Sequence, residues 1–208
     1  SKTIFDIDRM HNLVNKLGIT HLDLVPSYYR ELNLEDLNVL RRVISGGETC
    51  PISVANKLIT KNFYNEYGLT ETTVTSIRAF VKNRFVEAER VPIGKPISNT
   101  QVYILNPWNN LQPIGIFGEL CISGDGLAIG YLNNPELTHD KFVEHPYKQG
   151  ERLYHTGDIA RWLPDGNIEF LGRVDQQVKI RGFRIELGEV ESMLLKFEGI
   201  KECVVKTH

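Results

Sequence analysis

Along residues 6–68, stretches with helical apolar spacing alternate with short apolar runs cut off by Pro or Gly, and few architectures accept that alternation. Asp6 can cap a helix whose apolar positions Ile7, Met10, Val14 and Leu17 share one face, and Gly18 can end it. Residues 19–25 then read as a short strand stopped by Pro26. Val43-Ile44-Ser45 reads as a second strand running into Gly46-Gly47, with Pro51 in the first turn of another helix. A third strand over residues 62–67 reaches Gly68. Strands that alternate with helices imply an α/β layer with a mostly parallel sheet.

From about Thr73 the pattern changes. Strand-like segments at 102–105, 119–123 and 168–171 are separated by turn clusters, which predicts a β-rich subdomain after the α/β part. Pro164-Asp165-Gly166-Asn167 is a hairpin signal, because Asp-Gly can supply the positive φ angles of a tight turn. A charged strand over 177–181 precedes a helix with Leu187, Val190, Leu194 and Phe197 on one face, which Gly199 can end. A last strand-like run covers 202–206. The expected organisation is therefore an α/β part over 1–72, a β-rich part over 73–174, and the start of a small α+β subdomain over 175–208.

Composition narrows the functional classes. The 208 residues carry 24 Lys+Arg against 26 Asp+Glu, so no general electrostatic footprint for nucleic acid exists, although a small anion needs only local positive charge. No apolar run is long enough to span a bilayer, and the first residues lack the apolar core of a signal peptide, so a cytoplasmic protein is expected. Cys50, Cys121 and Cys203 form no CxxC pair and read as small apolar side chains in a reducing compartment.

Four stretches carry chemistry. In Asn65-Glu66-Tyr67-Gly68-Leu69-Thr70-Glu71-Thr72-Thr73, a strand ends in Gly and is followed by hydroxyls beside a carboxylate. Hydroxyls and backbone N–H groups bond phosphate oxygens and Glu is a hard ligand for Mg²⁺, so the stretch suits a nucleoside triphosphate. Thr-rich strand starts are also common without a ligand. Tyr154-His155-Thr156-Gly157-Asp158 places an Asp after a Gly, where its carboxylate can accept both ribose hydroxyls or simply form an Asx-turn. Residues 172–186 carry cations that could face phosphate or carboxylate, or could be a solvated charged strand. The glycine-rich stretch 118–131 matches neither a P-loop nor a dinucleotide fingerprint and reads as close backbone packing.

In this order and spacing, residues 65–73, 118–132, 154–158 and 172–191 closely resemble the core signatures of the adenylate-forming superfamily of acyl-CoA synthetases, luciferases and peptide synthetase adenylation domains. The wording VKIRGFRIELGEVE and GELCISGDGLAIGYLNNPELT resembles the nonribosomal peptide synthetase branch, and the resemblance covers essentially the whole chain. It implies that the chain is part of an AMP-forming ligase that activates an amino acid with ATP and Mg²⁺ and passes it to a phosphopantetheine thiol on a carrier domain. An acyl-CoA synthetase of the same superfamily is the nearest rival, and a non-catalytic nucleotide-binding module a more distant one.

Residue by residue, the resemblance implies Asn65 on the adenine edge, Tyr67 stacked on the base, Thr70 at the α-phosphate and Glu71 on Mg²⁺. It implies Asp158 on the ribose hydroxyls, Arg173 on ribose or phosphate, and Gly46, Gly47, Glu48, Gly68 and Phe170 bordering the nucleotide. Thr70, Glu71 and Arg173 would do the catalytic work, and Asp175 would be the hinge between subdomains. Three positions depart from the common pattern: Phe170 where Tyr is frequent, Leu69 for Pro, and Ile129 for Arg, which therefore receives no ligand role. A phosphate loop with its Lys is expected upstream, and the Lys that contacts the substrate carboxylate downstream, so the chain is expected to be an internal fragment, inactive by itself. The amino-acid side-chain pocket would be lined by Asp23, Val43, Ser45, Glu66, Val74 and Thr75. Burying Asp23 and Glu66 without partners would be costly, which favours a cationic or strongly hydrogen-bonding substrate such as Arg, Lys or ornithine, unless Asp23 pairs internally or Glu66 turns to solvent and leaves a small polar pocket.

Overall fold

The computed structural model describes residues 6–85, 90–174, 177–180 and 182–206. The amphipathic helix α1 (Ile7–Leu17) starts where Asp6 accepts the Arg9 N–H at 3.0 Å, and it ends at Gly18, whose φ of +63° is the left-handed turn that Gly adopts without strain. Val14 is fully buried on its inner face. Strand β1 (His21–Leu24) follows, then the short helix α2 (Pro26–Glu31), opened by the Pro that stops the strand. Strand β2 (Arg42–Ser45), helix α3 (Ile52–Leu58) and strand β3 (Asn62–Tyr67) complete the α/β layer.

The three strands are parallel and level: Leu22 lies opposite Val43 and Val43 opposite Phe63. These side chains point into a core with Tyr29, Leu37 and Leu58 from the helices and their connections. Fully burying a side chain of this size stabilises by roughly 1.5–3 kcal/mol, so this row fixes the register as well as the layer. The opposite face carries Tyr64 stacked on Phe80 at 4.8 Å, with Arg42 5.1 Å from the Tyr64 ring centre.

After Tyr67 the chain turns at Gly68 and passes through a 3-10 turn at Thr70–Thr72. It then returns as β4 (Ile77–Val81), antiparallel to β3, and the two-residue β5 (Lys95–Pro96) pairs with β4. The first sheet, in the order β1-β2-β3-β4-β5, therefore runs past the boundary expected after residue 72. The reason is local: a Cβ on Gly68 would lie 1.9 Å from the Val74 carbonyl oxygen, so the backbone doubles back tightly enough to pair again with β3.

The β-rich part is a second sheet in the order β10-β9-β7-β6, built from β6 (Thr100–Leu105), β7 (Gly118–Gly124), β9 (Arg152–Trp162) and β10 (Ile168–Arg173). Helix α4 (Pro135–Lys141) and strand β8 (Phe142–Glu144), both missed in the sequence, lead into β9. Asp165 accepts the Asn167 N–H at 2.9 Å in the β9–β10 turn, where only Gly166 takes a positive φ, of +78°; one left-handed residue suffices because the loop is longer than a two-residue turn. Leu120, Ile122, Tyr154 and Ile168 pack against Tyr67, Leu69, Ile77 and Ile93, joining the sheets through one apolar core.

Beyond Gln177, β11 (Val178–Ile180) and β12 (Phe183–Ile185) form a hairpin followed by helix α5 (Leu187–Leu194). Phe197 lies past the end of α5 and is exposed, contrary to its expected place on the apolar face. Residues 202–206 form no strand, because no sheet edge pairs with them among the described residues; the Val205 N–H goes to the Glu191 carboxylate at 2.9 Å. Among the described residues no helix is long and apolar enough to cross a membrane.

Gly94 ties the two sheets. Its carbonyl accepts the Ile168 N–H at 2.7 Å, its φ is +102°, and a Cβ would lie 2.1 Å from the Arg78 backbone. Gly94→Ala is therefore expected to lower stability by at least about 3 kcal/mol, read from the urea midpoint at unchanged slope.

Candidate functional site

Asp158 is almost wholly buried, and strand pairing puts it where it is. On β9 three residues, Thr156, Gly157 and Asp158, lie opposite the single residue Leu120 of β7. Such a bulge re-aims side chains, and bulges of this kind recur beside functional sites. Its geometry is held by Gly157, with φ +74°, whose N–H goes to the Glu119 carboxylate at 2.9 Å, and by Thr156, whose hydroxyl accepts the Asp158 N–H at 2.9 Å. Burial alone would raise the Glu119 carboxyl, but its bonds from His155 and Gly157 hold it below the usual range.

On the other side, a second irregularity between Phe170 and Gly172 sets Arg173 directly across from Asp158. Arg173 Nη1 meets Asp158 Oδ1 at 2.8 Å, with both side chains buried. Tyr67, from the end of β3 in the first sheet, donates its hydroxyl to Asp158 Oδ2. Burial and then the Asp158 charge push the Tyr67 phenol well above its ordinary range, so it remains a donor at neutral pH. A buried carboxylate thus has a cation and a phenol as partners, which offsets its desolvation.

These residues line a cavity of ≈ 610 Å³ between the sheets, a size ordinary for a small-molecule site. The rings of Tyr67 and Phe170 stand 6.0 Å apart in its wall. Asn65, Gly47, Glu48 and Gly68 also line it, whereas Gly46 lies behind the wall, where an added Cβ would be 3.1 Å from the Glu66 carbonyl. The Asn65 amide N–H₂ donates to the Pro92 carbonyl at 2.9 Å. Glu48 accepts from the Ser27 hydroxyl at 3.1 Å and from the Gly182 N–H at 2.8 Å, so it joins the first sheet to the β11–β12 hairpin. That hairpin brings Lys179 Nζ to 5.9 Å from the Tyr67 ring centre. Lys179 belongs to the cationic stretch noted in the sequence; Arg90, also in the wall, carried no such signal. Asp175, the expected hinge, lies outside the described residues.

Thr70 and Glu71 do not line this cavity but follow it immediately, on the 3-10 turn after Gly68. Glu71 is buried and accepts the Tyr131 hydroxyl at 2.8 Å. A carboxylate oxygen so placed fits Mg²⁺, which takes one or two carboxylates together with substrate phosphates. The turn closes through Thr73 and Val74, with φ of +57° and +66°, a conformation strained for β-branched residues and one that clusters at functional sites.

The six positions expected to form the side-chain pocket divide between two faces of the first sheet. Asp23 is level with Ile44 and Tyr64, while Val43 and Ser45 alternate to the opposite face. Val43 packs in the helix-side core and Ser45 is fully buried. Glu66 shares the Asp23 face and has partners within the chain. Arg78 lies 2.6 Å from Glu66 Oε1 in an ion pair not aligned as a hydrogen bond, and Thr75 donates to Oε2 at 2.7 Å. Burial and then the Glu66 charge raise the Asp23 carboxyl, with Arg78 opposing. Val74 is exposed.

Two β-sheets meeting at a cavity, with a buried carboxylate on a bulge, are the mixed α/β architecture of the adenylate-forming fold. The family of AMP-binding enzymes matches residues 1–132. The chain is 50% identical over 204 residues to gramicidin S synthase 2 of Aneurinibacillus migulanus, covering 94% of this chain and 4% of that protein. It is 48% identical over 207 residues to gramicidin S synthase 1 of Brevibacillus brevis, covering 99% of this chain and 19% of that one. The structure superposes on holo-PA1221, described as an NRPS protein containing adenylation and PCP domains, with a TM-score of 0.88 and 31% identity over 96% of this chain and 36% of the other. The chain belongs to the AMP-binding enzyme family, the adenylate-forming superfamily, within its nonribosomal peptide synthetase adenylation-domain branch.

Tyr67→Phe removes a hydrogen bond to a buried charge and is expected to cost about 1.5–3 kcal/mol of stability at neutral pH. The unfolded chain ionises Tyr near pH 10 and the folded one only above it, so this contribution is full below about pH 10 and lost as pH rises beyond. The difference in unfolding free energy between wild type and Tyr67→Phe should therefore shrink through the alkaline range in pH-dependent urea titrations.

Proposed function

We propose that the intact enzyme activates an amino acid as its aminoacyl-adenylate and passes it to a phosphopantetheine thiol on a carrier domain. The observation that carries this reading is Asp158, held between Tyr67 and Arg173 in the wall of the inter-sheet cavity. A carboxylate is an acceptor-only group with two oxygens, the chemistry that vicinal ribose hydroxyls call for. Tyr67 and Phe170 supply apolar surface for a base, and Asn65 a polar edge. Arg173 and Lys179 put positive charge where a nucleotide would develop negative charge.

Glu71 would hold Mg²⁺ beside Thr70, and the ion would supply charge neutralisation at the phosphates. The chain's own contribution is to orient the nucleotide so that a carboxylate can approach the α-phosphorus in line with departing pyrophosphate. A carrier domain is the partner this transfer requires, and a condensation domain in the same or an adjoining chain would use the loaded aminoacyl group. Preference for a cationic or strongly hydrogen-bonding side chain now rests on Asp23, since Arg78 and Thr75 supply Glu66's partners.

Asp158→Asn in the intact enzyme should raise the ATP KM in pyrophosphate exchange about ten- to a hundredfold, with amino-acid KM changed less. Wild type should favour ATP over 2′-deoxy-ATP by a similar factor, and the variant should lose that preference. An unchanged preference would contradict the ribose role. In exchange assays over an amino-acid panel, a basic or polar substrate is expected to lead, and preference for Leu, Val or Phe would remove the Asp23 argument.

A further inference from the structure

On the outer face of the second sheet, Glu119, Cys121 and His155 bring a carboxylate, a thiol and an imidazole together, with all three potential ligand atoms within 4.8 Å of one another. None of the three lines the inter-sheet cavity. Their meeting follows from strand register. Cys121 pairs with His155 across the antiparallel β7–β9 ladder, and Glu119, two residues earlier, shares the face because side chains alternate along a strand. We propose that these three side chains form a binding site for Zn²⁺, with a fourth position left to water.

The distances suit the ion. Cys121 Sγ lies 3.5 Å from His155 Nδ1. Zinc bonds of about 2.3 Å to sulfur and about 2.0–2.1 Å to nitrogen, opened by a tetrahedral angle, span about 3.5 Å. Glu119 Oε2 lies 2.8 Å from His155 Nδ1 and within 4.8 Å of the sulfur, and side-chain rotation that brings these separations to about 3.4 and about 3.6 Å places it at the third vertex. The donor set of sulfur, nitrogen and oxygen favours a borderline-soft ion over Mg²⁺ or Ca²⁺. Cys121 itself is fully buried, but Glu119 and His155 side chains are 28% and 18% exposed, which gives the ion an entry and leaves room for water.

The ligand shell is also braced. Glu119 Oε1 is anchored by the Gly157 N–H at 2.9 Å while Oε2 is the oxygen aimed at the cluster. Outer contacts of that kind orient metal ligands and strengthen binding. On binding, the Cys121 S–H bond breaks and its proton leaves to solvent, the His155 ring carries its proton on Nε2 so that the Nδ1 lone pair meets the ion in place of the Nδ1–Glu119 hydrogen bond, and zinc–sulfur, zinc–nitrogen and zinc–oxygen bonds form; no electron is transferred. The ion would clamp β7 to β9 at one end of the bulge that aims Asp158, and it requires nothing of the nucleotide reading.

The test titrates the metal-free full chain with Co²⁺, then displaces it with Zn²⁺. One equivalent of Co²⁺ is expected to give a thiolate-to-cobalt charge-transfer band and the visible bands of tetrahedral cobalt, both abolished by Zn²⁺. Cys121→Ser should lose the charge-transfer band, and His155→Ala should weaken binding at least about tenfold. Cys50→Ala and Cys203→Ala should keep the band, and Zn²⁺ should raise the unfolding temperature of wild type but not of Cys121→Ser. Absence of the band, its survival in Cys121→Ser, or its loss in Cys203→Ala would overturn the site. Should Cys121→Ser fail to fold, His155→Ala carries the same comparison, and unchanged Co²⁺ affinity there would be equally decisive.

Discussion

A single buried carboxylate organises the junction between the two sheets. Asp158 sits where β3 of the first sheet and β9–β10 of the second approach, and it takes one bond from each side, from Tyr67 and from Arg173. An unpaired carboxylate there would cost several kcal/mol, so the two sheets, their register and the two bulges all have to be in place together. The apolar core shared by Tyr67, Ile77, Ile93, Leu120, Ile122 and Ile168 supplies the driving force for that approach. The charge favours this register, because here Tyr67 and Arg173 both reach the carboxylate.

The same constraint explains why irregular backbone gathers here. Asp158 keeps the parity of Tyr154 and Ala160, which pack in the inter-sheet core, so alternation along β9 gives it that face; the three residues opposite one distort the strand locally, and Gly157 is the position that accepts the required positive φ. Glu119 and Thr156 then take up the backbone N–H groups that the bulge frees from the ladder. Past the 3-10 turn that holds Glu71, Thr73 and Val74 hold strained left-handed backbone. The cavity is thus made by local departures from regular structure, each satisfied by a named side chain or turn.

A lighter connection joins the last part of the chain to this frame. Glu48 receives N–H groups from Ser27 in the first layer and from Gly182 in the β11–β12 hairpin, and the hairpin in turn sets Lys179 above the Tyr67 ring.

Much of this was written locally. The Asp6 cap, the Gly18 stop, the strands ending at Ser45 and Tyr67 and the Pro-Asp-Gly-Asn turn depend on neighbours in sequence, and the structure reproduces them within a residue or two. The motif positions Asn65, Tyr67, Asp158, Phe170 and Arg173 were legible as well, and they converge on one cavity. Tertiary structure decided what depends on register and partners. Only strand alignment placed Val43 and Ser45 on the face opposite Asp23, since a side chain's face follows from pairing and not from residue type. Only packing brought Arg78 to Glu66 across the antiparallel β3–β4 pair, supplying the partner that an isolated reading of the carboxylate lacked. Residues 202–206 stayed out of any ladder among the described residues because a strand needs an edge to pair with, and no local pattern encodes whether one is near.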